Sequence, residues 1–208
     1  MNKGFARIIG IAGGTGSGKS WLANFLKAEL GARAAVLSQD WYYKDRSGTN
    51  RATEVSLNFD HPRAFETGLL LGHLDALRRG RRVETPRYDF ATHSRATHAV
   101  PMEPAPVVII EGLFVLHQKS ILKRLDDSVF VEVPAQVRLE RRLRRDAAER
   151  SIPPQETLRL YETFARPMHE RFVQPSAARA RHLWRPLNKR ECDFPARFAR
   201  ELGQLLTS

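Results

Sequence analysis

Residues 13–20 read Gly13-Gly14-Thr15-Gly16-Ser17-Gly18-Lys19-Ser20, which is the spacing Gly-x-x-x-x-Gly-Lys-Ser of a phosphate-binding loop. Glycines let the backbone curl so that successive N–H groups point at phosphate oxygens. A helix beginning at Lys19 aims its positive end at the same oxygens. Lys19 adds a point charge on the terminal phosphates, and the Ser20 hydroxyl is placed to ligate Mg²⁺. A dinucleotide-type Gly-x-Gly-x-x-Gly is excluded, because no triplet of these glycines has that spacing. The loop therefore predicts use of a nucleoside triphosphate, ATP or GTP.

Two carboxylates belong to the same chemistry. Asp40 and Glu111 each follow an apolar run that reads as a strand. In open parallel sheets ligands bind beyond the carboxyl ends of strands, so both should face the phosphates. One can hold Mg²⁺, directly or through water. The other can accept a proton from an attacking hydroxyl. A third feature is cationic: Arg138, Arg141, Arg142 and Arg145 fall at i, i+3, i+4 and i+7 on one helical face. Four like charges on one face repel, and an anionic partner such as a transferring phosphoryl group would relieve that cost. The alternative is a solvated helix face balanced by Glu140 and Asp146. Arg150, just beyond, could carry the same site into a mobile lid.

These residues must be positioned by a specific set of elements. Residues 6–12 are rich in Ile with little alternation, which suits a strand buried on both faces. Leu22, Phe25, Leu26 and Leu30 then show helical spacing, closed by Gly31. Residues 34–37 and 106–110 read as further strands, ending at Ser38-Gln39-Asp40 and Glu111-Gly112. Residues 41–60 read as loop. Pro62 is placed to begin a helix that Phe65, Leu69, Leu70, Leu74 and Leu77 carry to Gly80. Residues 81–101 look like a hairpin insert. A helix near 119–125, a strand over 128–133 and a periodic helix over 135–150 follow. Pro153-Pro154 interrupts, and two helices over 155–165 and 168–179 come next. A short strand at 182–184 and a helix over 196–206 end the pattern. Strands alternating with helices predict an α/β fold with a mostly parallel sheet, organised as one domain over 1–208 with the insert at 81–101 and a lid at about 141–160.

Composition bounds the setting. The 208 residues have an ordinary apolar share and carry a formal net charge of +11. That charge could serve nucleic acid, a membrane surface or small anionic substrates. No recognised nucleic-acid module appears, and no stretch approaches the length of a membrane span. The apolar run 8–12 is too short for a signal-peptide core, so no secretory leader is expected. The single cysteine, Cys192, excludes an intramolecular disulfide and fits a reducing, cytoplasmic setting.

The sequence resembles the uridine–cytidine kinases of the phosphoribulokinase/uridine kinase family. The resemblance rests on the phosphate loop, Ser38-Gln39-Asp40 with Tyr43-Lys44-Asp45, and Asn58-Phe59-Asp60-His61-Pro62. It continues through Pro86-Arg87-Tyr88-Asp89-Phe90 with Thr92-His93-Ser94-Arg95, Glu111-Gly112, Arg141-Arg142 with Arg145-Asp146, and Tyr161-Glu162 with Arg166-Pro167-Met168. These segments run in family order over about residues 6–176. The resemblance implies a P-loop NTPase three-layer fold and phosphoryl transfer from ATP or GTP to the 5′-hydroxyl of uridine or cytidine, with Mg²⁺. It implies that Asp40 accepts the hydroxyl proton, that Ser20 and Glu111 serve Mg²⁺, and that Asp60 and Arg142 hold the ribose hydroxyls. Tyr88 and His93 would read the pyrimidine edge, with Tyr43, Phe59 and Phe90 walling the base. Arg145 and Arg150 would sit over the phosphates from the lid. A homo-oligomer is also implied.

Three places depart from the family pattern. The lid reads Glu149-Arg150-Ser151-Ile152 where the family has Glu-Arg-Gly-Arg. Leu160 replaces a Gln before Tyr161, and residues 179–184 replace an Ala-Asp-apolar strand. Loss of two buried polar contacts predicts nucleoside recognition weaker by ~1–3 kcal/mol each. Two other readings stay open here: a kinase of the same chemistry with a different hydroxyl acceptor, and a basic nucleotide-binding regulator with little kinase activity.

Overall fold

A computed structural model of the chain describes residues 6–46, 58–90, 92 and 94–206. The central sheet sets the strands Ala34–Ser38, Val107–Glu111, Arg7–Gly13, Asp127–Val131 and His182–Trp184 side by side in that order, and every pairing in it is parallel. Its first strand, β1 (Arg7–Gly13), runs through the glycine loop into α1 (Lys19–Leu30), then β2 (Ala34–Ser38) and α2 (Thr67–Arg78). Two short antiparallel pairs form the insert: β3 (Val83–Thr85) with β6 (Val100–Met102), and β4 (Tyr88–Asp89) with β5 (Ser94–Arg95). The chain returns to the sheet through β7 (Val107–Glu111), α3 (Lys119–Leu122) and β8 (Asp127–Val131). Helices α4 (Ala135–Arg150) and α5 (Pro154–Leu160), strand β9 (His182–Trp184) and helix α6 (Phe194–Gln204) complete it.

Apolar side chains alternate across the buried strands and so make two cores. Ile8, Val108, Ile110 and Phe130 face α2 through Leu70, Leu74 and Leu77. Ile9, Ile11, Ile109 and Val131 face α1 and α6 through Leu22, Leu26, Phe198 and Leu202. A sheet covered on both faces explains why β1 and β7 read as continuous apolar runs. It also leaves the carboxyl ends of β1, β2 and β7 as the open edge where polar groups can gather.

Two elements differ from expectation. The helix placed at Pro62 begins at Thr67; Pro62–Ala64 is a 3₁₀ turn. Phe65 stays extended because it bridges to Tyr43, whose ring lies 4.2 Å from its own. The two helices expected over 155–179 form one irregular rod. π-helical turns at Tyr161–Ala165 and His169–Val173 flank Arg166–Met168, and a 3₁₀ stretch ends it at Arg179. Wide turns of this kind leave room for Pro167, which has no N–H to give a regular helix. Among the described residues no helix is long and apolar enough to cross a membrane.

Candidate active site

The glycine loop takes its shape from left-handed backbone at Gly16 (φ 73°) and Gly18 (φ 95°), which a side chain would strain. Gly18 caps α1 with no side-chain hydrogen bond, so the first N–H groups of the helix have no side-chain partner at the cap. Behind the loop, Arg138 is 4% exposed. Its Nε donates to the Val133 carbonyl at 3.0 Å, while its Nη1 has no partner. His169 lies against Gly14, where a Cβ would fall 2.6 Å from Arg138 Nη1 and 2.9 Å from the His169 ring.

Parallel register brings the end of β7 between β1 and β2, with Glu111 opposite Ile11 and Ser38. Glu111 is buried and accepts hydrogen bonds from Ser38 Oγ at 2.6 Å and Ser20 Oγ at 3.1 Å. Lys19 Nζ stands 3.9 Å away. Burial pushes the Glu111 carboxyl above its ordinary range, against the pull of Lys19. A buried carboxylate beside a serine hydroxyl is a hard-oxygen donor set of the kind Mg²⁺ takes. Among the described residues no group of three or more His, Cys, Asp or Glu could hold a metal. A cation at Ser20 and Glu111 would therefore draw its other ligands from water and phosphate, which is how Mg²⁺ is usually held.

Two cavities meet at Lys19. One, of about 620 Å³, runs from Gly16–Trp21 past Arg141 and Arg145 to Trp184, Pro186, Cys192 and Pro195. Its phosphate-facing end and apolar far wall suit a nucleotide. The other, of about 140 Å³, holds Thr15, Lys19, Asp40, Tyr43, Phe59, Asp60, Phe90, Arg142, Arg145 and Arg150. Asp40 lies in the 3₁₀ turn Gln39–Tyr42 that follows β2. Its Oδ1 is buried without a hydrogen-bond partner. Such an oxygen is costly unless a ligand donates to it. A larger cavity of about 880 Å³ lies beyond Arg138, around Glu132, Tyr161, Arg166 and Arg185, and contains neither Lys19 nor Asp40.

Aromatic packing shapes the smaller cavity. Tyr43 packs among Phe65, Tyr88, Phe90 and Phe59 in tilted and edge-on pairs, with centroids 4.2 to 6.2 Å apart. Tyr88 stands behind Tyr43 and Phe90 and is not among the lining residues. His93 lies outside the described residues. Asp60 is 3.8 Å from Arg142 Nη1. Burial raises the Asp60 carboxyl above its ordinary value, and Arg142 partly offsets it. Ile152, Leu160 and Phe164 also line this cavity, so two of the positions that depart from the family pattern, Ile152 and Leu160, lie in it.

The arginine stripe is only in part a solvated face: Arg141 is exposed and Arg145 half-buried. Arg138 and Arg142 are buried, and a residue that spacing arguments treated as a surface counter-charge organises the others. Asp146 accepts from Arg142 Nε at 3.2 Å and from Arg145 Nε and Nη2 at 3.0 and 2.7 Å, with Arg150 Nη1 at 3.8 Å. The i, i+4, i+8 spacing of Arg142, Asp146 and Arg150 is the signal that could have shown this. Arg145 lines both cavities, Arg141 only the larger of the two, and Arg150 only the smaller.

The description Phosphoribulokinase / Uridine kinase family belongs to a sequence model that matches residues 8–190. A uridine kinase of Staphylococcus epidermidis is 40% identical over 174 residues, covering 83% of this chain and 84% of its own. A uridine kinase of Staphylococcus haemolyticus is 40% identical over 170 residues, covering 81% and 82%. The solved D-glycerate 3-kinase of Cryptococcus neoformans superposes with a TM-score of 0.63 at 17% identity, covering 87% of this chain and 86% of that one, which is a likeness of fold alone.

Proposed function

The chain belongs to the phosphoribulokinase/uridine kinase family, and from that premise we propose that it is a nucleoside kinase moving the γ-phosphoryl of ATP or GTP to the 5′-hydroxyl of uridine or cytidine. The observation that carries the reading is Asp40. Its buried, unpartnered Oδ1 lies in the same small cavity as Lys19 and Arg145. That is where a hydroxyl must give up a proton beside an incoming phosphoryl group.

In this reading the nucleotide occupies the 620 Å³ cavity, its phosphates on residues 13–20. The nucleoside occupies the smaller one, its base among Tyr43, Phe59 and Phe90 and its ribose hydroxyls on Asp60 and Arg142. His93 serves the base edge, and Tyr88 backs the wall from behind Tyr43 and Phe90. The 5′-oxygen attacks the γ-phosphorus as its proton passes to Asp40, and the bond to the bridging oxygen of the diphosphate breaks. Lys19 and Arg145 hold the transferring oxygens, so charge is met by groups already in place. Ser20 and Glu111 would hold Mg²⁺, which would supply charge neutralisation on the phosphates when bound. Residues 141–160 act as a lid on a domain spanning 1–208, excluding water and so limiting hydrolysis.

One observation favours a second reading. Ile152 and Leu160 put apolar surface where polar contacts to the nucleoside were expected, which suits another hydroxyl acceptor with the same phosphoryl chemistry. The regulator reading loses support, because the buried arginines face the phosphate loop and Asp146 instead of an outer surface. An acceptor panel separates the first two. Release of ADP or GDP is measured with uridine, cytidine, other nucleosides and sugar phosphates. Turnover on uridine or cytidine is expected; turnover on another alcohol and none on these two would reject the pyrimidine assignment.

A further inference from the structure

The end of α4 divides the arginines between the two cavities. Ser151 turns the chain there in left-handed conformation (φ 53°, ψ 30°), and the N–H groups of Ser151 and Ile152 both return to the Asp146 carbonyl. The turn carries Ile152 into the wall of the acceptor cavity and leaves Arg150 on the last helical turn, reaching back toward Asp146. The guanidinium carbon of Arg150 lies 4.2 Å from the Phe90 ring centroid, well inside cation–π range. Its Nη1 is 3.8 Å from Asp146, an ion pair longer than a hydrogen bond, so Asp146 does not use up its donors. The side chain is 26% exposed. It shares the cavity with Asp40 and Asp60, and the donor cavity is lined instead by Arg141 and Arg145.

We propose that Arg150 is a specificity-determining residue of the acceptor site and not a clamp on the donor phosphates. Held over the Phe90 ring, its guanidinium closes one side of the base slot and offers N–H donors to a ring carbonyl of the bound base. The chemistry fits a planar heterocycle rich in acceptors: the cation–π contact orients the guanidinium, and Ile152, Leu160 and Phe164, which line the same cavity, add only apolar contact. This rests on the nucleoside-kinase reading above.

Steady-state kinetics with uridine and ATP varied in turn test it, using R150A, R150K, F90A and the R150A/F90A double variant. The KM for uridine is expected to rise about 10- to 100-fold in R150A, the loss of one charge-assisted hydrogen bond. The KM for ATP and kcat at saturating uridine should stay within about twofold. R150K should recover only part of the loss, because an ammonium has no planar fork. The double variant should be no worse than the poorer single one, since the two side chains act as one unit. A raised KM for ATP or a lowered kcat with the uridine KM unchanged would return Arg150 to the phosphates. Full additivity of R150A and F90A would break the paired unit. A wild-type protein that phosphorylates no nucleoside sinks the functional reading and this proposal together, a result distinct from the other two.

Discussion

Asp146→Asn keeps the shape of the side chain and removes its charge. Asp146 is 1% exposed and receives three hydrogen bonds from Arg142 and Arg145, with Arg150 as a further ion pair. Breaking a buried ion pair from one side costs about 3–5 kcal/mol, because the partner charge is stranded. Arg145 and Arg150 are about a third and a quarter exposed and can turn to water, whereas Arg142 cannot. The low end, about 3 kcal/mol, is therefore expected. At this chain length each kcal/mol moves Tm by about 2–4 °C, which gives a fall of about 6–12 °C. Thermal unfolding followed by circular dichroism at neutral pH reads it. Stranded arginines should also be eager for anions, so ATP should raise the Tm of the variant by more than it raises that of the wild type. A variant melting within about 2 °C of the wild type would refute the view that Asp146 organises the lid arginines.

Asp40→Asn should lower kcat by about 100-fold or more; donor affinity, followed by nucleotide titration, should hold, because Asp40 does not line the donor cavity. Ser151→Gly removes a left-handed serine and should raise Tm by about 2–4 °C, the effect of ~1 kcal/mol in differential scanning calorimetry; no change would mean that the turn is unstrained. Burial first, and Arg138 second, depress the His169 pKa from 6.5 to about 4. A base depressed on folding stabilises fully above its unfolded pKa and loses that contribution as pH falls through about 6.5 toward 4. His169→Gln should therefore flatten the acid limb of urea-denaturation stability between those pH values, and an unchanged slope would place the acid sensitivity elsewhere.

Much of the donor side was legible in the residues themselves. The loop, α1 and the two carboxylates depend on local spacing and on where buried strands end, and both signals survive in a single sequence. The span of α4 was legible too, since Pro134 and Pro153-Pro154 bracket a strongly periodic run. The direction its arginines face was not. Periodicity says which residues share a stripe; only tertiary packing against Gly14, Gly16 and Asp60 says that Arg138 and Arg142 of this stripe point inward. Phe65 is similar: its helical spacing was real, but the bridge to Tyr43 and the packing of the two rings hold it extended. Asp146 was the costliest omission, because one carboxylate among four arginines looks like routine surface neutralisation until its burial is known.

The lining of the donor cavity has a spectroscopic consequence. Two of the three tryptophans in the chain line the donor cavity. Trp21 is 56% exposed there and lies 5.9 Å from the ring of buried Trp184. Trp41 is elsewhere, capped by the Arg87 guanidinium at 3.6 Å. Intrinsic emission is thus weighted toward one cavity. A purine entering it would quench or shift the indole signal without any label, and a nucleoside entering the other cavity would leave Trp21 and Trp184 untouched. The protein carries its own optical reporter for one of its two proposed substrates.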